Sequence, residues 1–462
     1  MKMIHYLEDR ERFPNLTEAG LRMLNRLREH EFAPNYNYAC GDQLSIDGLT
    51  EVRNFEKELA NKRAGWKPGE IPDWVLNFAD RCLIDVPFYR SYKRTAENFL
   101  SLPAFSRKDL ENQQWAFVPD SQSLDEMLVY YTSGTTGKSF DILSHPEVST
   151  KYLPCLQFAL ARVGVKIEGG AERVFAVNVC AQNSTLTYAT VSTYFDCAGY
   201  VKINLNPNDW KHPADIEKFI NDLQPEIFTG DPIAFLALMK IPLQTKPKAL
   251  VSSAMMLLPA LKTKFENHFE CPVIDVYSMN ESRFIAASVD AKNYEIVPHD
   301  LFVEILDDEG NLCLPGVRGE ITLTCGRNPF LPLLRYRTGD FAALNFDKAY
   351  PTLVQFEGRQ PIMFLTADDR LINNIDVTQA LEPFPIGQFS LHQCEDRSLI
   401  FKIRGGWGDE AEIKKALLNL FGENQHLTIK ELVGDETING KVLQYSTEIK
   451  DATLNHSEIV FR

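Results

Sequence analysis

A run of hydroxyl-bearing residues and glycines follows the apolar segment 127–130. The run reads Tyr131, Thr132, Ser133, Gly134, Thr135, Thr136, Gly137 and Lys138. Its two glycines can adopt backbone angles closed to other residues, so successive N–H groups can converge on an anion. The hydroxyls add hydrogen-bond donors, and Lys138 adds a mobile positive charge. The spacing is not that of a Walker A loop. The pattern predicts a strand followed by a phosphate-binding loop, and a polar β-turn is the alternative from these residues alone.

In two later stretches, an acidic residue follows a tyrosine four positions further along the chain. They are YSMNE at 277–281 and RYRTGD at 335–340, and the pair Gly-Arg follows at 358–359. Together with the first run, and in the same order, they resemble the nucleotide-binding motifs of the adenylate-forming enzymes. That superfamily comprises acyl- and aryl-CoA synthetases, peptide-synthetase adenylation domains and luciferases. The phrases at 86–90 and 102–110 are similar to segments that precede the nucleotide loop in phenylacetate-CoA ligase and its relatives.

The resemblance implies an ATP-dependent ligase acting on a small, aromatic carboxylic acid. The carboxylate attacks the α-phosphate of ATP, which gives an acyl-adenylate and pyrophosphate. Because two anions must meet, catalysis consists mostly of positioning and charge neutralisation by Mg²⁺, the loop donors and at least one lysine. We therefore expect ATP and Mg²⁺ as cofactors and a small-molecule acid as the substrate.

Single residues acquire roles from the resemblance. Glu281 matches the acid that binds Mg²⁺, and a hard cation prefers carboxylate oxygen. Tyr277 can supply a flat surface for adenine, and Asp340 can accept hydrogen bonds from the ribose hydroxyls. Arg359 matches a residue that contacts the same ribose. Lys441 matches the lysine that reaches the carboxylate and the α-phosphate. Without the resemblance, Glu281 reads as a solvated acid at a helix start and Lys441 as an exposed lysine beside a hairpin turn.

Further site residues follow from their positions within the motifs. Ser278 and Asn280 stand where the family usually has Gly and Thr or Ser, and Asn280 keeps the capacity to form hydrogen bonds. Ser253 and Ala254 begin the counterpart of the family's Gly-Ala-Glu-Pro phrase. Catalysis is thus predicted for Lys441, Glu281 and Thr135. Nucleotide binding is predicted for Thr132, Ser133, Gly134, Thr135, Thr136, Gly137, Lys138, Ser253, Ala254, Tyr277, Ser278, Asn280, Asp340 and Arg359.

The elements that must position these residues belong to more than one domain, because 462 residues exceed what one hydrophobic core usually supports. Short β-branched runs alternate with helical ones between 174 and 276, which predicts an α/β domain with layered, mostly parallel sheets. A β-rich stretch at 301–324 predicts a β-subdomain. We expect an ATP- and acid-binding adenylation domain at 1–357 and a small, mobile α+β domain at 358–462.

The predicted sheet also indicates where the substrates bind. Ligands of open α/β sheets collect beyond the carboxyl ends of the strands, so Asp231, Ser253 and the segment 277–281 are expected to share one crevice. The acyl pocket is predicted from the segments 178–190 and 251–256. Polar side chains in the first of these segments favour a ring with polar substituents, or line the surface; they are Asn178, Gln182 and Asn183.

Composition excludes several classes of function. There are 48 basic and 63 acidic residues, a net charge of −15, which argues against a nucleic-acid or anionic-membrane partner. The first residues lack an apolar core of signal-peptide length, and no stretch approaches the roughly 18 apolar residues of a membrane span. The nine cysteines form no C-x-x-C pair. We expect a cytoplasmic protein with free thiols and no membrane association.

The acyl acceptor stays open at this stage. The resemblance implies transfer to CoA, but the segment 360–364 replaces the acidic hinge and the Arg-Gly of phenylacetate-CoA ligases, and Met255 replaces an acid near the acyl pocket. One alternative is a stand-alone adenylase that passes the acyl group to an amine or a carrier protein. Another is a nucleotide-binding protein that has lost catalysis.

Overall fold

The computed structural model describes residues 9–61, 66–92, 96–131, 141–297, 299–348, 350–358, 362–406, 408–433 and 442–449. None of the helices in these ranges is long and apolar enough to cross a membrane. The α-helices are α1 Asp9–Arg12, α2 Glu18–Arg28, α3 Ile46–Asn61, α4 Asp73–Asp85, α5 Arg107–Asn112, α6 Pro146–Thr150, α7 Tyr152–Leu160, α8 Asp215–Leu223, α9 Pro232–Leu238, α10 Pro259–Phe269, α11 Asn374–Leu381 and α12 Glu410–Phe421. Short 3-10 helices span Tyr89–Tyr92, Ala96–Ser101, Gln114–Phe117, Ala161–Val163 and Pro207–Asp209.

The strands alternate with these helices through the middle of the chain and then follow one another directly. They are β1 Phe105–Ser106, β2 Leu128–Tyr131, β3 Asp141–Ser144, β4 Val174–Cys180, β5 Tyr188–Ser192, β6 Ala198–Asn204, β7 Ile227–Gly230, β8 Ala249–Ser253, β9 Val273–Met279, β10 Arg283–Ser288, β11 Tyr294–Ile296, β12 Leu301–Leu306, β13 Gly319–Cys325, β14 Leu333–Asn345, β15 Thr352–Glu357, β16 Met363–Leu365, β17 Leu371–Asn373, β18 Gln388–Gln393, β19 Leu399–Arg404, β20 Leu427–Glu431 and β21 Tyr445–Thr447.

One large mixed sheet confirms the predicted α/β class. Its order is β12-β13-β14-β15-β11-β10-β9-β8-β7-β4-β6-β5, with β1 against β14. The neighbours β6, β4, β7, β8 and β9 are parallel. Their sequences are nearly continuous apolar runs because helices cover both faces of such strands. The strands of the predicted β-subdomain are antiparallel, and β11 joins them to the same sheet.

The helices bury the apolar faces that their periodicity predicts. Ile216, Phe219 and Ile220 of α8 are buried. Helix α2 begins after the N-cap Thr17 and ends at Arg28. Leu21 on α2 is 40% exposed and does not belong to the buried face.

The described residues from 362 to 449 carry an α+β arrangement, as predicted. Strands β16 and β17 pair with each other, and a second sheet has the order β20-β19-β18-β21. Helix α12 begins where Asp409 accepts a hydrogen bond from the N–H of Ala411 and ends at Gly422. This part lies against the large sheet's helices, because the N–H of Ala260 donates to the carbonyl oxygen of Glu382 at 3.3 Å.

A buried polar network joins the end of β15 to this C-terminal part. Thr378 of α11 donates to Glu357 at 2.8 Å, and the guanidinium of Arg318 lies 3.4 Å from the same carboxylate. The hydroxyls of Thr378 and Tyr445 lie 2.6 Å apart. Burial raises the pKa of Glu357 to about 6; Arg318 and Thr378 oppose the shift, and the nearby Asp376 adds to it. The protonation state of Glu357 is therefore expected to affect how tightly β13, β15, α11 and β21 pack together.

The folded protein is expected to lose about 2 kcal/mol of stability through Glu357 as the pH rises from 4.5 to above 6. The pKa of this carboxyl is higher in the folded than in the unfolded chain, so its stabilising contribution is fully present at low pH and disappears as the group ionises. Glu357→Gln should remove this part of the pH slope. Chemical denaturation of both proteins across this pH range measures the difference.

The exposed Glu309, in the turn after β12, supplies the control. Glu309→Gln should leave the slope of the wild-type protein in place. An identical slope in the wild-type protein and in Glu357→Gln would contradict the assignment.

Candidate functional site

The carboxyl ends of β7, β8 and β9 lie at one edge of the sheet. Gly230 pairs with Ser252, and Ser252 pairs with Asp275. The predicted residues Asp231, Ser253 and Tyr277 follow these positions and therefore lie at the same edge of the sheet. That they share a ligand-binding crevice stays a prediction. The carboxylate of Asp231, however, accepts a hydrogen bond from the N–H of Ala234 at 2.8 Å and caps α9. Its position is therefore explained by helix capping.

Tyr277 and Asp340 are hydrogen-bonded to each other across 63 positions of sequence. The hydroxyl of Tyr277 donates to Oδ2 of Asp340 at 2.7 Å. The ring of Tyr277 packs against Phe356, with centroids 4.5 Å apart, and the residue is 6% exposed. Asp340 itself is half-buried, and its N–H donates to the hydroxyl of Thr338. The geometry orients the Asp340 carboxylate while leaving part of it accessible.

Glu281 is a buried carboxylate, which excludes its reading as a solvated acid. It is 4% exposed, and it lies in the turn between the antiparallel strands β9 and β10. Tyr336 donates a hydrogen bond to its Oε1 at 3.3 Å. Burial raises the pKa of Glu281 above its ordinary value, and the positive charges of Arg107 and Arg283 oppose that shift. A buried acid of this kind is held most favourably by a cation.

Magnesium fits this carboxylate. Mg²⁺ in phosphate-transfer sites takes one or two protein carboxylates, and substrate phosphate and water oxygens complete its octahedron. Glu281 would supply one such oxygen ligand near Asp340, since Tyr336 of the Asp340 strand donates a hydrogen bond to it. The chemistry of the donor therefore agrees with the metal that the motif implies.

Arg283 is a further candidate site residue that lies outside the sequence motifs. Its guanidinium lies 4.5 Å from the ring centroid of Tyr130 and donates to the hydroxyl of Ser149 at 3.1 Å. Its Nε is buried and has no hydrogen-bond partner among the described residues. Burial lowers the pKa of Arg283, and the nearby Glu281 opposes that shift. The only sequence signal is a basic residue two positions after the YSMNE stretch.

The backbone at Arg283 is strained. Its φ is +62°, a left-handed conformation that costs a non-glycine residue of order 1 kcal/mol or more. Such strain persists where the surroundings impose it, and it concentrates at functional sites. Tyr130, on which the guanidinium stacks, stands two residues before the predicted phosphate loop. Arg283 therefore places a positive charge against the strand that leads into that loop.

The two arginines within the RYRTGD stretch form ion pairs with neighbouring strands. Arg335 forms a buried ion pair with Glu304 of β12 at 3.0 Å, and Arg337 contacts Glu320 of β13 at 2.6 Å. Both pairs fasten β14 to its neighbours. Within the same stretch, Tyr336 contacts Glu281 and Asp340 contacts Tyr277.

The remaining described residues of the predicted site surround the same edge. Ser253 ends β8 and is half-buried, and Ala254 adopts a φ of +70°. Ser278 is exposed, and Asn280 is half-buried in the β9–β10 turn. The structure brings these four residues to the ends of two adjacent strands. Their contacts with a nucleotide stay predictions.

The predicted phosphate loop and two predicted cations lie outside the described residues. They are Thr132, Ser133, Gly134, Thr135, Thr136, Gly137, Lys138, Arg359 and Lys441. The flanks of the loop are described, and β2 pairs with β3 in an antiparallel ladder that ends with Tyr131 opposite Asp141. The predicted strand before the loop is therefore confirmed. Three positions after Lys441 in the sequence, the side chain of Gln444 lies 3.6 Å from the sulfur of Met256, just beyond β8.

Comparisons with known proteins identify the architecture. A family model described as AMP-binding enzyme matches residues 91–328, just over half of the 462 residues. Among curated protein sequences there is no match.

Solved structures with a similar fold include three of 2-hydroxyisobutyryl-CoA ligase. The postadenylation state in complex with 2-HIB-AMP has a TM-score of 0.58 at 14% identity and covers 83% of this chain and 95% of that chain. The same state in complex with R3-HIB-AMP has a TM-score of 0.57 at 14% identity, with the same coverage. An open conformation in complex with 2-HIB-AMP and CoA has a TM-score of 0.51 at 15% identity and covers 83% of this chain and 97% of that chain. These likenesses confirm the fold.

Proposed function

This chain belongs to the AMP-binding enzyme family, and from that premise we propose that it is an AMP-forming acid ligase. The observation that supports this most is that two motifs distant in sequence are joined by hydrogen bonds. Tyr277 holds Asp340, and Tyr336 holds Glu281, so the acids proposed for the ribose and for the metal belong to one constellation. A carboxylate oxygen of the substrate attacks the α-phosphorus of ATP, the bond to the β-phosphate oxygen breaks, and pyrophosphate leaves.

Each residue of the constellation contributes positioning or charge. Asp340, oriented by Tyr277, accepts hydrogen bonds from the ribose hydroxyls. Glu281 would hold Mg²⁺, which when bound neutralises phosphate charge. Arg283 directs a guanidinium toward the phosphates carried by the loop 132–138, since its stacked partner Tyr130 leads into that loop.

Two further cations complete the proposed machinery. Arg359 contacts the ribose from the junction between the two parts of the chain. Lys441 neutralises the charge that develops at the α-phosphate and the attacking carboxylate. We place the domain division at 357/358, because Glu357 ends β15 and the Gly-Arg pair follows it. The small domain of 358–462 then carries Lys441 to the adenylation site.

The acid is proposed to be small and aromatic, with CoA as the acceptor of its acyl group. The phrases at 86–90 and 102–110, which are similar to those of phenylacetate-CoA ligases, support this subtype. The 2-hydroxyisobutyryl-CoA ligase with which the chain shares its fold also acts through an acyl-AMP, as its complex with 2-HIB-AMP indicates. Transfer to an amine or a carrier protein is the second outcome that the experiment distinguishes.

Exchange of labelled pyrophosphate into ATP tests the adenylation step. We expect exchange with ATP, Mg²⁺ and one member of a panel of small aromatic and aliphatic acids, and none when the acid is omitted. Addition of CoA should then convert that acid into its thioester and consume ATP stoichiometrically. Exchange without thioester would support the amine or carrier-protein acceptor. No exchange with any acid, despite binding of ATP, would overturn the proposed ligase activity.

A further inference from the structure

Three side chains with different metal-binding atoms meet in the C-terminal sheet. The strands β18 and β21 are parallel, with His392 opposite Ser446 and Gln393 opposite Thr447. Because side chains alternate between the faces of a sheet, His392 and Cys394 share one face with Ser446 and Glu448. The imidazole, thiol and carboxylate of His392, Cys394 and Glu448 all lie within 4.8 Å of one another. No other such group of three occurs in the described part of the chain.

Nδ1 of His392 and Oε2 of Glu448 each have a hydrogen-bond partner outside the cluster. Nδ1 of His392 lies 2.8 Å from the hydroxyl of Ser446, while Nε2 lies 3.5 Å from Oε1 of Glu448. Oε2 of Glu448 accepts a hydrogen bond from the N–H of Glu395 at 3.0 Å. Histidine ligands of metals almost always donate their second ring nitrogen to such a partner, which fixes the tautomer and the ring orientation. Ser446 and Glu395 thus orient both ligands toward the shared space.

The donor set selects the class of ion. A thiolate and an imidazole together suit zinc-class cations, whereas Mg²⁺ and Ca²⁺ take oxygen ligands. Ligand atoms of a tetrahedral zinc site are about 3.3–3.8 Å apart, as bond lengths near 2.0–2.3 Å require. The distance of 3.5 Å between Nε2 of His392 and Oε1 of Glu448 agrees with that geometry. His392 and Cys394 are half-buried and Glu448 is exposed, so an ion can enter from solvent.

We propose that His392, Cys394 and Glu448 form a binding site for a divalent transition cation of the zinc class, which fastens β21 to β18. Binding releases the proton of the Cys394 thiol and leaves a fourth position for water. Strand β21 has three residues and pairs with β18 at the edge of its sheet. A metal bridge would therefore stabilise this short pairing in addition to its backbone hydrogen bonds. The site shares no residue with the predicted adenylation site, and the proposal does not depend on the ligase activity.

Cobalt and zinc titrations of the chelator-treated full-length protein test the site. Co²⁺ should give one equivalent of tetrahedral binding with a thiolate-to-cobalt charge-transfer band, and Zn²⁺ should displace it. Removing a residue that orients a metal ligand lowers metal affinity by about 10–100-fold, and removing the ligand itself should lower it at least as much. Cys394→Ser and His392→Gln should therefore each lower the Zn²⁺ affinity by about 100-fold or more. Zn²⁺ should raise the melting temperature of the wild-type protein and of neither variant.

Cys313 provides a matched control, because it is also half-buried and lies near the carboxylates of Asp307 and Asp308. Cys313→Ser should bind Co²⁺ and Zn²⁺ as the wild-type protein does. Circular dichroism of the metal-free variants verifies that they are folded. Retention of the cobalt spectrum in both Cys394→Ser and His392→Gln would overturn the proposal, as would absence of any binding to the wild-type protein, which would leave an ordinary His392–Glu448 ion pair.

Discussion

Glu281→Gln is expected to reduce acid-dependent pyrophosphate exchange by about 10²–10³-fold, the range found when one group that stabilises developing charge is removed. The amide keeps the size of the side chain and can still accept the hydrogen bond from Tyr336. It cannot supply the negative charge proposed to hold Mg²⁺. The variant should therefore bind ATP weakly in the presence of Mg²⁺ and should need higher Mg²⁺ concentrations for residual activity. Initial exchange rates across a Mg²⁺ titration measure both effects.

The stability of Glu281→Gln distinguishes a functional role from a structural one. Burial raises the pKa of Glu281, so the folded protein disfavours its charge, and a neutral amide should leave the melting temperature unchanged or higher. The exposed Glu309→Gln, which also removes one negative charge, should exchange at the wild-type rate. A Glu281→Gln enzyme within threefold of the wild-type rate would eliminate this residue as the metal ligand.

Arg283→Met is expected to lower kcat/KM for ATP by about 10–100-fold, the equivalent of the 1.5–3 kcal/mol typical of a hydrogen bond to a charged group. The change retains an apolar stem of similar length and removes the guanidinium that stacks on Tyr130. If this group binds the β- and γ-phosphates, affinity for AMP should change little while affinity for ATP falls. Arg283→Lys should recover part of the loss, since it restores the charge without the planar fork. Steady-state kinetics and titrations with both nucleotides supply the comparison.

Arg162 is the matched control for this change. It also stacks on aromatic rings, with distances of 4.7 Å to Phe158 and 4.8 Å to Tyr350, and it pairs with Glu295. Arg283, by contrast, stacks on Tyr130 of the strand that precedes the predicted loop. Arg162→Met should retain the wild-type kcat/KM for ATP. Equal losses for ATP and AMP in Arg283→Met would indicate a general disturbance of the β9–β10 turn and would refute direct contact with the phosphates.

Local patterns were sufficient to predict the individual elements of this protein. The apolar runs of β4, β7 and β8 act within a few residues of themselves, so these strands lie within the segment 174–276, where the sequence indicated alternating strands and helices. The mixture of parallel and antiparallel pairing in the large sheet could not be predicted from local patterns. The pairing of β11 with β15 unites residues more than fifty positions apart, and no local pattern encodes it.

The sequence by itself determined which chemistry this chain can perform, because the type, order and spacing of the side chains in YSMNE and RYRTGD are properties of the chain alone. Only the tertiary structure decided how those side chains work together. Tyr277 meets Asp340 and Tyr336 meets Glu281 because antiparallel strands return distant segments to one edge of the sheet. Arg283 joins them only through the turn that folding imposes, since burial and a strained backbone arise from packing and leave no mark in the sequence.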